Sequence, residues 1–395
     1  MTAEPLPCLL ATSPDEMGEV VAAIGEPAFR AKQILEWIFP KRAESFEAMS
    51  NLSKAMRIAL AERFVLRTMT LARVEGAEDT TRKYLFKLHD GRFIETVLIP
   101  ASPALYGERS DRRTLCVSSQ VGCAFDCKFC ASGLAGLTRN LTASEITEQI
   151  IQVEKHCGAR VDNLVFMGMG EPLANLPNVL QAIQVLNAEW GVGIGARHIT
   201  VSTSGIAPQI YKLAEFPLQI RLAISLHGAS DEVRDQIMPV NQKWPLHDLY
   251  AALDYWCSRK KQKLTFEFIL IEGVNDTLEQ ARLLGRAAQM LDAKVNLIPY
   301  NTVEGLPWKR PAERQQEIFC DEVAAFGVSA TLRREKGHDI AAACGQLRLK
   351  QETDLGIIEA PLKAKIQGAT IDALGPSSPD HVLHHLEPEI KTSAP

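Results

Sequence analysis

The stretch Cys116-Val-Ser-Ser-Gln-Val-Gly-Cys123-Ala-Phe-Asp-Cys127-Lys-Phe-Cys130 decides how the rest of the chain is read. Three of its cysteines stand at Cys-x3-Cys-x2-Cys, and a fourth, Cys116, lies seven residues upstream. Spacing this tight lets a short loop fold back until three thiolates converge, which is how soft metals and iron-sulfur clusters are held. Three ligands instead of four leave one coordination position for another molecule. A structural zinc site usually takes four closed ligands from two paired knuckles. Here the second Cys-x2-Cys pair is absent, and Cys116 alone is near enough in sequence to serve as a fourth ligand.

Outward from this stretch, apolar runs of strand length alternate with longer helical patterns, the form taken by repeated βα units. Strands are expected at Thr114–Ser118, Asn163–Met169, His198–Thr203, Ile220–Leu226, Leu264–Ile271 and Val295–Tyr300, with Ser329–Leu332 as a further edge strand. Helices are expected near 142–156, 177–188, 207–214, 246–260, 277–290 and 312–326. Six units of this kind predict an α/β fold, a partial (β/α)6 parallel barrel.

In such barrels, active-site residues come from the carboxyl ends of the strands and the loops that follow. The cysteine loop follows the first expected strand and Gly168-Met-Gly170-Glu171-Pro172 the second; Ser202-Thr-Ser-Gly205 ends the third, Ser225-Leu226-His227-Gly228 the fourth and Pro299-Tyr300-Asn301 the sixth. Each cluster has an ordinary reading as well. Pro172 suits an early helical position, Ser202 to Gly205 suits a turn and cap, and a single histidine at a strand end is commonly a hydrogen-bonded structural residue. Their convergence on one rim argues for one shared site.

Before the barrel, residues 16–66 repeat apolar positions at helical spacing, through Ile34, Leu35 and Ile38 and again through Leu52, Met56 and Leu60. Lys83 to Leu88 and Phe93 to Pro100, joined by a His89-Asp-Gly turn, read as a hairpin. Glu95 interrupts the second of these runs. From the residues alone it is either a solvent-facing position, the commoner case, or a carboxylate directed at a site. The expected organisation is a helical accessory domain at 1–70, a β-hairpin extension at 71–113, the barrel at 114–350 and a disordered tail at 351–395, rich in Pro, Ser, His and Glu.

The net charge of −5 offers no global attraction to nucleic acid, so an RNA partner would need local basic surface. Arg30 to Arg42, Arg112 with Arg113, Lys309 with Arg310, Arg333 to Lys336 and Arg348 with Lys350 could supply it, although each also reads as a solvated charged face. Nine cysteines, four of them bunched between 116 and 130, do not form the pattern of a secreted disulfide scaffold. With no apolar segment of membrane-spanning length and no secretory leader in view, the expectation is a cytoplasmic protein without a membrane partner.

The cysteine triplet, with Phe129 immediately before its last member and a βα barrel around it, resembles the radical S-adenosylmethionine superfamily. Within it, Cys116 to Gly133, Met167-Gly-Met-Gly-Glu-Pro-Leu173, Ser225-Leu-His227, Ile298-Pro-Tyr-Asn301 and Ala343-Cys344-Gly-Gln-Leu347 together resemble the RNA methyltransferases that act on C2 of adenine. The resemblance covers roughly residues 15 to 350.

It implies that Cys123, Cys127 and Cys130 hold a [4Fe-4S] cluster whose open iron binds S-adenosylmethionine. Gly170, Glu171, Ser202, Ser225, Leu226, His227 and Asn301 match the positions that line the cofactor pocket. It further implies two molecules of S-adenosylmethionine per turnover. Cys344 takes a methyl group from the first; a 5'-deoxyadenosyl radical from the second removes a hydrogen from that methyl, and the carbon radical adds to C2. Glu95 matches the acceptor of the C2 proton, against the surface reading above. Cys116 matches the thiol that releases the product through a disulfide with Cys344. The implied substrates are 23S ribosomal RNA at the peptidyl transferase centre and the anticodon loop of some tRNA species. The helical domain is implied to bind RNA, a flavodoxin or ferredoxin to donate electrons, and the enzyme to be a monomer. A neighbouring family with the same cysteines methylates C8 instead, and a non-catalytic RNA-binding metal or Fe-S protein is the reading from another class.

Overall fold

A computed structural model of the chain describes residues 6–77, 80–101, 112–133, 136–303, 305–333, 340–342 and 346. Cys344 and the tail expected from 351 lie outside the described residues.

The described residues form a ten-stranded mixed sheet. Its antiparallel part comprises β1 (Met69–Gly76), β2 (Arg82–Leu88), β3 (Phe93–Pro100) and β4 (Arg113–Cys116). From β4 the sheet continues in parallel through β7 (Asn163–Phe166), β8 (Ile199–Thr203), β9 (Arg221–Ser225), β10 (Thr265–Leu270), β11 (Lys294–Pro299) and β12 (Ala330–Leu332). Two short strands, β5 (Gln120–Gly122) and β6 (Leu137–Asn140), pair separately. The expected parallel units are present, and β12 is the edge strand expected at 329–332. The hairpin is one strand larger than expected, because β1 joins it and the meander runs on into the barrel sheet through β4.

Side-chain alternation divides the sheet into two faces. Val201, Leu222, Ile224, Phe266, Phe268, Val295 and Leu297 are buried beneath the crossover helices. The residues between them, Thr200, Ser202, Ser225, Glu267 and Asn296, carry the polar groups of the inner face. The apolar core therefore lies between sheet and helices, and the polar exceptions in each strand mark the side facing the site.

The helices obey their sequence signals. α4 (Ala143–Cys157) begins at a capping box in which the Thr142 side chain accepts the Glu145 N–H and Glu145 accepts the Thr142 N–H, a cap worth about 1 kcal/mol. It ends at Gly158 in the left-handed region. The amino-terminal module consists of α1 (Pro14–Ala23), α2 (Phe29–Ile38) and α3 (Lys54–Ala61), the first also started by a capping box, from Ser13 to Glu16. The module is fastened to the barrel by polar contacts: Ser144 Oγ to Cys8 O (3.2 Å), Gln181 Nε2 to Ala11 O (3.2 Å), and the Arg42 guanidinium to Glu154 of α4.

Candidate active site

The cysteine loop is closed by local structure on both sides. β5 enters it and β6 leaves it, and the Cys123 N–H donates to Gly136 O across the neck (3.0 Å). Within the loop, the Cys130 N–H donates to Cys127 O (3.0 Å). Two outside contacts fix its crown: the Lys128 N–H donates to Ile237 O (2.9 Å), and Trp308 Nε1 donates to Lys128 O (2.8 Å).

Cys123 and Cys127 border a cleft at the carboxyl ends of the parallel strands that is partly open to solvent. Gly170, Glu171, Ser202, Ser225 and His227 also line it, as do Phe125, Phe129, Met238 and Glu267. Cys130, Leu226 and Asn301 lie outside its wall. Leu226 is fully buried, its N–H donating to Glu267 O (3.0 Å), and the Asn301 side chain accepts from Arg310 Nη2 (3.2 Å).

The Gly-Met-Gly-Glu-Pro segment needs its glycines because it crosses the chain leading into the cysteine loop. A Cβ at Gly168 would meet Val117 O at 2.6 Å, and one at Gly170, whose φ is +99°, would meet Gln120 Cβ at 2.5 Å. This close approach allows Gln120 Oε1 to accept the Glu171 N–H (2.8 Å). The Glu171 carboxylate accepts N–H groups from Leu173 (2.9 Å) and Ser204 (2.7 Å). Burial raises its pKa, opposed by those backbone donors.

His227 is held as a neutral imidazole. Its Nδ1 accepts the Ile269 N–H (3.0 Å), which leaves the proton on Nε2. Burial, with the nearby Arg234 charge, depresses its pKa to about 3. Phe129 of the cysteine loop meets the imidazole edge-on, with ring centroids 4.8 Å apart and an interplanar angle of 82°.

Strand register relates the remaining candidates to this cleft. Val97 pairs with Cys116, Cys116 with Val165 and Val165 with Thr200. Glu95 lies two residues before Val97 and Ser202 two after Thr200, so Glu95, Cys116 and Ser202 share one face of the sheet. Glu95 is 7% exposed, which removes the solvent-facing reading, and its Oε1 lies 3.3 Å from Lys83 Nζ. Neither Glu95 nor Cys116 borders the cleft itself.

Sequence reasoning did not single out Arg234, which is fully buried on α5 (Asp231–Ile237). Its guanidinium donates to the carbonyls of Ser204, Ser225 and Leu226, tying together the ends of β8 and β9. Its charge also acts on Cys127. In sequence it sits among Asp231, Glu232 and Asp235, where an arginine reads as part of a solvated face.

The donor set suits an iron-sulfur cluster. Burial raises the pKa of all three thiols, Cys123 to about 12, so they need a strong Lewis acid to ionise them. Among the described residues no three potential ligands are grouped to hold a single metal ion. Arg234 supplies a buried positive charge beside the resulting anion. The cleft in turn offers a buried carboxylate to an ammonium group and a neutral imidazole N–H to an acceptor.

Comparison with known proteins agrees with this geometry. Residues 117–283 match the Radical SAM superfamily, and residues 8–66 match the Ribosomal RNA large subunit methyltransferase N-terminal domain. The chain is 54% identical over 350 residues to the probable dual-specificity RNA methyltransferase RlmN of Akkermansia muciniphila, covering 89% of this chain and 98% of that protein. Similarity to the probable dual-specificity RNA methyltransferase RlmN of Bacillus subtilis is 45% identity over 343 residues, covering 86% of this chain and 92% of that protein. A radical SAM methyltransferase from Sphaerobacter thermophilus of known crystal structure superposes with a TM-score of 0.82 at 41% identity, over 87% of this chain and 100% of that one.

Proposed function

The chain belongs to the RlmN family of radical S-adenosylmethionine RNA methyltransferases, and on that premise we propose that it methylates C2 of adenine in 23S ribosomal RNA and in the anticodon loop of some transfer RNAs. The observation that carries this reading is the meeting of Cys123 and Cys127 with Glu171 and His227 around one cleft. A [4Fe-4S] cluster and S-adenosylmethionine, two molecules per turnover, supply the methyl group and the radical chemistry there.

The protein's part is to bind, orient and handle protons. Cys123, Cys127 and Cys130 hold the cluster as thiolates. Gly170, Glu171, Ser202, Ser225 and His227 would bind S-adenosylmethionine, together with Leu226 and Asn301, which lie outside the cleft lining. Cys344 carries the methyl group, which becomes a methylene bridge between its sulfur and C2. Glu95 accepts the C2 proton, and the unpaired electron left on the adduct by addition of the carbon radical would pass to the oxidised cluster. The Cys116 thiolate then attacks the Cys344 sulfur; an S–S bond forms, the S–CH2 bond breaks, and the released methylene takes a proton to become the methyl group on C2. The common face of Glu95 and Cys116 supports their working in sequence on one adduct. The target base leaves its stack to reach the cleft, which suits RNA loops. The amino-terminal module docks the RNA, a flavodoxin or ferredoxin supplies electrons, and the enzyme acts as a cytoplasmic monomer. Among the described residues no helix is long and apolar enough to cross a membrane.

Anaerobically prepared variants test the division of labour. Cys116→Ala is expected to retain iron and sulfide and to accumulate protein joined covalently to RNA. Cys344→Ala is expected to keep the cluster and form no adduct. Free methylated RNA from Cys344→Ala, or a zinc-bearing protein with neither iron nor sulfide, would refute the scheme.

A further inference from the structure

Arg234 is a buried cation for which the described residues supply no ion pair, and it is 0% exposed. Its guanidinium donates to uncharged acceptors alone: Ser225 O at 3.2 Å, the carbonyls of Leu226 and Ser204, and Met238 Sδ at 3.4 Å. Its Nε has no hydrogen-bond partner among the described residues. The two aspartates of its own helix are engaged elsewhere. Asp231 Oδ1 accepts from Asn241 Nδ2 and from the Leu246 N–H, both at 2.9 Å, and Asp235 Oδ1 accepts from Asn241 Nδ2 at 2.8 Å. Carbonyl dipoles only partly replace water here, and burial pulls the pKa of Arg234 down to about 10. A buried charge is costly until a counter-charge completes it.

The fold sets this charge against the cysteine loop. α5 ends at Ile237, whose carbonyl accepts the N–H of Lys128, the residue next to Cys127, at 2.9 Å. Met238, which touches the guanidinium, borders the cleft together with Cys127. The three thiols are served differently. The Phe125 N–H is directed at Cys123 and the Ser132 and Gly133 N–H groups at Cys130, whereas the favourable influence on Cys127 is the charge of Arg234. A cluster bound by three thiolates is an anion, and each electron it accepts makes it more negative. A fixed cation nearby attracts the reduced state more strongly than the oxidised one. Because Arg234 is out of solvent, salt screens this attraction little.

We propose that Arg234 is the counter-charge of the cluster held by Cys123, Cys127 and Cys130, and that it raises the cluster's reduction potential into the reach of a one-electron carrier. The proposal rests on the cluster reading of the cysteine loop. Arg234 touches no reacting atom; it acts through the cluster, which gains one electron as the carrier loses one. Its bonds to the ends of β8 and β9 would by themselves make it a clamp, with no bearing on the potential. Arg234→Met and Arg234→Gln remove the charge, whereas Arg234→Lys keeps the charge and gives up the planar fork of donors.

The test is a redox titration followed by electron paramagnetic resonance on the anaerobically reconstituted wild type and the three variants, with iron, sulfide and circular dichroism measured alongside. Arg234→Met and Arg234→Gln are expected to shift the one-electron reduction equilibrium about tenfold toward the oxidised cluster, a potential about 59 mV more negative. Arg234→Lys is expected to stay close to the wild type. Failure of both neutral variants to hold a cluster, with Arg234→Lys sound, would equally bear the proposal out, since an uncompensated buried charge is no loss to the protein by itself. A wild-type potential in either neutral variant would overturn it. Equal shifts in all three variants, or equal failure of all three to fold or to hold a cluster, would overturn it too, because the backbone clamp and not the charge would then be at work. A wild type that takes up neither iron nor sulfide would instead remove the cluster reading beneath it.

Discussion

His227 shows how one side chain can be fixed in both position and charge. The Ile269 N–H and the Phe129 ring leave it a neutral Nε2–H donor facing the cleft. Its pKa of about 3 when folded lies below the ordinary value of 6.5, so the unfolded chain takes up a proton first as pH falls. The stability associated with neutral His227 is therefore fully present above pH 6.5 and is lost progressively as pH falls toward 3. At pH 5 the loss is about 2 kcal/mol by linkage. In urea titrations, the wild type is expected to lose about this much more stability than His227→Gln between pH 7.5 and pH 5. Parallel pH profiles for the two proteins would contradict the buried neutral imidazole. From sequence, His227 could be located at a strand end, but its tautomer could not, because the partner that sets it is a backbone N–H 42 residues away on another strand.

At the scale of elements, the cluster loop depends on segments far from it in sequence. β5 and β6 close its neck, and Trp308 holds its crown through Lys128 O. Trp308→Phe leaves that carbonyl without its donor, at a local cost of about 1 kcal/mol. The expected consequence is faster loss of iron to a chelator with far-ultraviolet circular dichroism unchanged; an unaltered release rate would show that the loop holds itself. The parallel strands and their helices were legible in the sequence because apolar runs of strand length alternate with helical patterns in a fixed order. β1 was not. Its register shifts between Leu71 and Arg73 and most of its side chains are partly exposed, so no regular alternation marks it. α5 was missed because its seven residues are mostly charged, and the burial of Arg234 depends on carbonyls from two other strand ends. Glu267 was lost inside a run read simply as an apolar strand, although the polar position within that run is what marks the inner face.

For the whole molecule, the proposed scheme divides chemistry and RNA docking between barrel and module, and Arg42 is one of the joints between the two. Its partner Glu154 is nearly buried and also accepts the Val161 N–H at 2.9 Å, with Arg160 Nε 3.2 Å away. Arg42→Ala is expected to lower stability by about 1–2 kcal/mol in urea unfolding, less than the full cost of breaking a buried pair because those other donors remain. An unchanged unfolding midpoint would mean that the joint is held by apolar contact alone. The acidic overall charge places the burden of RNA binding on local basic surface.

The central claim is the carbon that receives the methyl group. It is tested most directly by incubating the anaerobically prepared, cluster-loaded enzyme with unmodified 23S ribosomal RNA, S-adenosylmethionine and a reductant, then digesting the RNA and resolving its nucleosides by mass spectrometry. The predicted product is 2-methyladenosine; 8-methyladenosine in its place, or no methylated adenosine at all, would contradict it.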